Sequence, residues 1–85
     1  RHVKNLINAL PFWEQNKEFI TLNFGNDAWR DLERLLIMRV LCSSIAEKKD
    51  ALIFNYFLRY IRIKPTLNHR HVNMLIKAVV NRYLR

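Results

Sequence analysis

Three features of this 85-residue chain could support metal or proton chemistry: His69 and His71 two residues apart, Cys42 standing alone, and Glu14 with Glu18 at i, i+4. Two residues is about 200° around a helix, so the histidines cannot share an ion, and Cys42 has no neighbouring Cys or His. Glu14 and Glu18 stack on one helical face, where exposure to solvent explains them without a reaction. One glycine leaves no phosphate-cradling loop, no serine sits on a nucleophile elbow, and no acidic pair is joined to a histidine. The chain is therefore not expected to be an enzyme, nor to hold a metal or cofactor.

The remaining chemistry is recognition of anions. Lys and Arg number 15 against seven Asp and Glu, a formal net charge of +8. All seven acids fall between Glu14 and Asp50, so residues 51–85 carry bases and no acid. Arg59, Arg62, Lys64, Arg70, Lys77, Arg82 and Arg85, with His69 and His71, would concentrate positive potential there. Arg bridges guanine acceptors in a bidentate way, Asn does so with adenine, and Lys neutralises phosphate. Arg70, Asn73 and Lys77 are thus candidate groove contacts, and Arg59, Arg62, Lys64 and Arg82 candidate phosphate contacts.

Positioning these side chains requires helices. One Gly and two Pro leave few turns, and apolar spacing is helical throughout, which predicts an all-α fold: a compact single-domain bundle of four to five helices over residues 1–85. Val3, Leu6, Ile7 and Leu10 define a first helix expected to stop at Pro11. The stretch Phe12 to Phe24 is ambiguous, because Ile20, Leu22 and Phe24 alternate as a strand would; with no second strand to pair, helix is preferred. Asn26 or Asp27 is expected to cap a helix running to about Ala46, whose stripe of Trp29, Leu32, Leu36 and Val40 is flanked by further apolar residues, as suits a central helix.

Asp50 is expected to cap a fourth helix, Ala51 to Ile63, on which only Asn55, Arg59 and Arg62 are polar and the rest wants burial. Pro65 forces an end at Lys64, and Thr66 or Asn68 restarts the chain as a cap. A last helix from about His69 to Arg85 would bury Val72, Leu75, Ile76, Val79, Val80 and Tyr83 and present Arg70, Asn73, Lys77 and Asn81. Together the last two helices form a helix-turn-helix-like hairpin.

The run Leu67-Asn68-His69-Arg70-His71-Val72, continued by Leu75-Ile76, Val79-Val80 and Arg82, resembles the C-terminal helix of the BEN domain, a small helical module of chromatin proteins. That family's helix often reads Leu-Asp-Pro, a basic residue, then paired aliphatics and Arg. Arg34-Leu35-Leu36 is similar to the segment that packs beneath it. The chain departs from the family where a Ser/Thr-Gly loop is usual and Ala51 to Ile63 stands instead. The resemblance implies double-stranded DNA binding through Arg70, Asn73 and Lys77, in the nucleus.

Residue chemistry keeps a second expectation open. The fourth helix carries more apolar surface than a small bundle covers, so Tyr56, Phe57 and Tyr60 with the basic stripe would bind protein, either an acidic amphipathic segment or a second copy of the chain. A single Cys permits no internal disulfide and fits a reducing, intracellular setting. No apolar run approaches the roughly 20 residues of a membrane span, so no membrane partner is expected. The chain starts at Arg1 rather than Met and is read as a fragment of a longer protein.

Overall fold

The architecture follows from α3 (Asn26–Ala46), against which every other helix packs: α1 (Val3–Gln15), α2 (Lys17–Phe24), α4 (Asp50–Ile63) and α5 (His69–Tyr83). The computed structural model describes residues 3–64, 66 and 68–84, all-helical apart from short connections. Arg1, His2, Pro65, Leu67 and Arg85 lie outside the described residues. So do the first residue of the BEN-like run and the charge of Arg85.

Residues Arg34, Met38, Leu41 and Ile45 recur at i, i+4, i+7 and i+11 on α3, and all are buried, as are Ile37, Val40 and Ser44. Around them Val3, Tyr56 and Tyr60 complete the core, with Leu6, Ile7, Leu10, Leu52, Ile53, Met74 and Leu75 packed against it. The expected stripe is therefore rotated: Leu32 and Leu36 are only half-buried.

Pro11 does not end the first helix. It sits inside α1 on the exposed side, and the helix continues to Gln15. Continuation half-buries Trp13 beside Leu10 and Trp29, which offsets the amide hydrogen bond that proline cannot make. Phe12 to Phe24 is helical, divided at Asn16, whose side-chain Nδ2 donates to the Phe12 carbonyl at 2.8 Å. The alternation of Ile20, Leu22 and Phe24 does not mark a strand: the segment is helical, and Leu22 and Phe24 face solvent.

Neither Asn26 nor Asp27 caps α3. Gly25 occupies the cap position at φ 94°, ψ 165°, a backbone region that essentially only glycine enters, and Asp27 instead pairs with Arg30 at 3.5 Å. Asp50 likewise is the first residue of α4 rather than its cap, because Lys48 in the left-handed region (φ 59°) and Lys49 turn the chain ahead of it. At the other end of α4, Lys64 is extended, as a residue before proline must be, and the Asn68 side chain caps α5 by accepting from the Arg70 amide at 2.8 Å.

The two arms of the C-terminal hairpin are antiparallel but do not pack backbone to backbone. Each lies on α3, and side chains bridge them: Tyr60 to His71 near the connection and Asp50 to Arg82 at the far end. This splay corrects the expected face of α5. His71, Leu75, Ala78 and Arg82, at i, i+4, i+7 and i+11, turn inward, whereas Ile76, Val79, Val80 and Tyr83 are exposed. At one end of that stripe His71 is buried against the Tyr60 hydroxyl, in its middle Leu75 packs on the core beside Met74, and at the far end Arg82 meets the exposed Asp50.

Candidate functional site

Three consequences of the splay define the candidate surfaces. The outer flank of α5 carries Arg70, Asn73, Lys77 and Asn81, all exposed. Arg62 and Lys64 are exposed at the end of α4, where the chain passes into α5. The stripe expected on the last helix is thus present and faces solvent.

Two residues expected beside it are engaged elsewhere. Arg59 lies over the Tyr56 ring at 4.9 Å and lines a crevice with Leu10, Trp13 and Trp29, on the α1 side of α4. Arg82 reaches Asp50 at 3.5 Å and lies over the Tyr83 ring at 4.8 Å. The expected aromatic docking residues also divide: Tyr56 and Tyr60 are 7% and 0% exposed and belong to the core, which leaves Phe57 accessible. Tyr60 is buried because its hydroxyl finds partners inside the protein.

Those partners form a polar cluster that joins α3, α4 and α5. Arg34, 4% exposed, donates from Nη2 to the Tyr60 hydroxyl at 2.8 Å and to the Thr66 carbonyl, and its guanidinium stands 4.7 Å from the centre of the Tyr60 ring. The Tyr60 hydroxyl contacts His71 Nδ1 at 2.6 Å. A guanidinium only donates, so the Tyr60 oxygen accepts from Arg34, and the same hydroxyl shares a hydrogen bond with His71 Nδ1. Burial first, and then the Arg34 charge, hold the His71 proton affinity below the ordinary imidazole range, with Asp31 opposing.

Sequence reasoning missed this cluster, although a signal was there. Arg34 shares the helical stripe of Met38, Leu41 and Ile45, and an arginine in register with three apolar residues is one that burial must accommodate. Burial also raises the Cys42 thiol to about 11, so it is an unreactive core neighbour at neutral pH.

Between α4 and α5 runs an apolar groove of about 460 Å³, floored by Leu41 and Ile45 and walled by Phe54 and Phe57 on one side and Leu75, Val79 and Tyr83 on the other. Its charged lining residues, Asp50 and Arg82, pair with each other. On the far side of α5, next to its N-terminus, a separate recess of about 300 Å³ is lined by Asp31, Arg34, Leu35, Asn68, Arg70, His71 and Met74. Among the described residues no group of three His, Cys, Asp or Glu is placed to hold a metal ion, and no helix is long and apolar enough to cross a membrane. No family model, curated protein or solved structure matches the chain.

Proposed function

We propose that this domain binds nucleic acid, with duplex DNA docked along the outer flank of α5. The observation that carries the reading is the open polar stripe Arg70, Asn73 and Lys77, on a helix that itself carries no acid and packs on the core through Met74 and Leu75. Arg70 and Lys77 are separated by about 10 Å along the helix axis, and a major groove about 12 Å wide admits one α-helix. Arg62 and Lys64 flank the N-terminal end of that stripe as phosphate contacts, whereas Arg59 and Arg82 lie outside the interface. The BEN-like run of the last helix supports the same assignment. Fluorescence anisotropy with a labelled duplex at low salt checks it: Arg70→Ala and Lys77→Ala weaken binding, Arg59→Ala leaves it nearly unchanged, and absence of binding ends the reading.

The groove supports a second reading, an interface with a second copy of the chain. Accessible surface is 6299 Å², whereas a compact monomer of 10.3 kDa exposes about 5,400 Å². The excess of about 900 Å² reflects the elongated 43 × 25 × 18 Å body, and part of it is the open groove, where Phe54, Val79 and Tyr83 stand exposed. The lining offers no net positive charge to select an acidic segment, which favours self-association. In sedimentation, a dimer that Val79→Glu disperses to monomer is the expected outcome; a monomer at high concentration refutes it.

A further inference from the structure

The recess at the start of α5 has an electrostatic property that its neighbours lack. Arg34 is a permanent cation almost fully removed from water, yet its partners are a hydroxyl, a carbonyl and an aromatic face, all neutral. Among the described residues no carboxylate forms an ion pair with it, and its Nε has no hydrogen-bond partner. A buried, uncompensated charge is costly, and the cost falls if an anion can approach. The recess gives that approach: Arg34 forms part of its wall, Arg70 stands exposed beside it, and it opens at the N-terminus of a 15-residue helix, where the dipole favours negative charge although the Arg70 amide is already held by the Asn68 side chain.

We infer that this recess receives one phosphate group, a phosphodiester of the nucleic-acid backbone, between the Arg34 guanidinium, Arg70 and the N-terminal turn of α5. The assignment deepens the nucleic-acid reading and rests on it, because the same Arg70 begins the stripe that continues to Asn73 and Lys77. A phosphate seated there fixes the register of the strand against α5, in the way that backbone contacts position a protein before bases are read. Asp31 also lines the recess and opposes the anion; its carboxylate limits affinity for a free phosphate and makes the extra contacts of a polymer necessary. His71, on the wall, reports occupancy: Arg34 lowers its proton affinity, and an anion beside Arg34 restores part of it.

The test uses the whole chain and inorganic phosphate, followed through the His71 imidazole resonances, which are identified by their loss in His71→Gln. Phosphate is expected to shift them saturably, beyond what chloride does at equal ionic strength, and to raise the His71 titration midpoint by roughly half a unit or more. Asp31→Asn, an exposed position, is expected to tighten phosphate about threefold to tenfold, and Arg70→Ala to weaken it about tenfold. Arg34 itself is left intact, since its removal would unmake the Tyr60 cluster. Equal responses to phosphate and chloride, or indifference to Arg70→Ala, overturn the site. Duplex binding without a phosphate effect on His71 refutes the recess and spares the nucleic-acid reading; a phosphate effect without duplex binding keeps an oxyanion site and refutes its nucleic-acid source.

Discussion

Tyr60 is the side chain on which the C-terminal half is organised, since its hydroxyl accepts from Arg34 and hydrogen-bonds to His71 across three helices. Tyr60→Phe leaves the ring's packing in place but removes a partner from a buried cation and a buried imidazole. A loss of about 2–3 kcal/mol in unfolding free energy is expected by denaturant titration. The same cluster makes stability depend on pH in a definite direction. The folded protein holds the His71 proton affinity below that of the unfolded chain, so the unfolded state binds more protons at mildly acid pH. The His71 contribution is whole above the unfolded imidazole value and is lost as pH falls through the folded one. Stability is expected to decline as pH falls below the ordinary imidazole value of about 6.5, and His71→Gln, which keeps a hydrogen-bonding side chain beside Tyr60, is expected to flatten that decline. An equally steep decline in the variant would assign it to other groups.

At the scale of elements, the informative cases are those where tertiary packing overrides a local signal. Pro11 within α1 sacrifices a helical hydrogen bond at an exposed position, so Pro11→Ala is expected to stabilise the protein by about 1–3 kcal/mol, read from the thermal midpoint. Asn68→Ala removes the cap of α5 and is expected to destabilise by about 1 kcal/mol. Helix spacing made the extent of α3, the stop at Lys64 and the exposed stripe Arg70, Asn73, Lys77 legible, because each depends on neighbours in the chain. The facing of α5 was not: its apolar count points Val79, Val80 and Tyr83 inward, but His71 is buried against Tyr60, distant in sequence, and Val79, Val80 and Tyr83 are exposed. Burial of Tyr56 and Tyr60 has the same origin, in partners that no local window contains.

Across the whole molecule, the splay of α4 and α5 over α3 produces an elongated body of 43 × 25 × 18 Å with two unlike surfaces on one helix. The apolar groove wall, Val79 and Tyr83, lies on one side of α5, and Arg70, Asn73 and Lys77 lie nearly opposite. Association through the groove would therefore leave both copies' polar flanks free, and a two-fold dimer would offer two such flanks to a duplex, as paired half-sites require. The central claim is that the cationic flank of α5 docks in a duplex, where Arg70 and Lys77 each displace counterions. The most direct measurement is the slope of log affinity for a duplex against log salt concentration, for the wild type and for the double variant Arg70→Ala, Lys77→Ala. The account predicts a steep slope that the double variant reduces by about two units. A slope that the double variant leaves unchanged would contradict it.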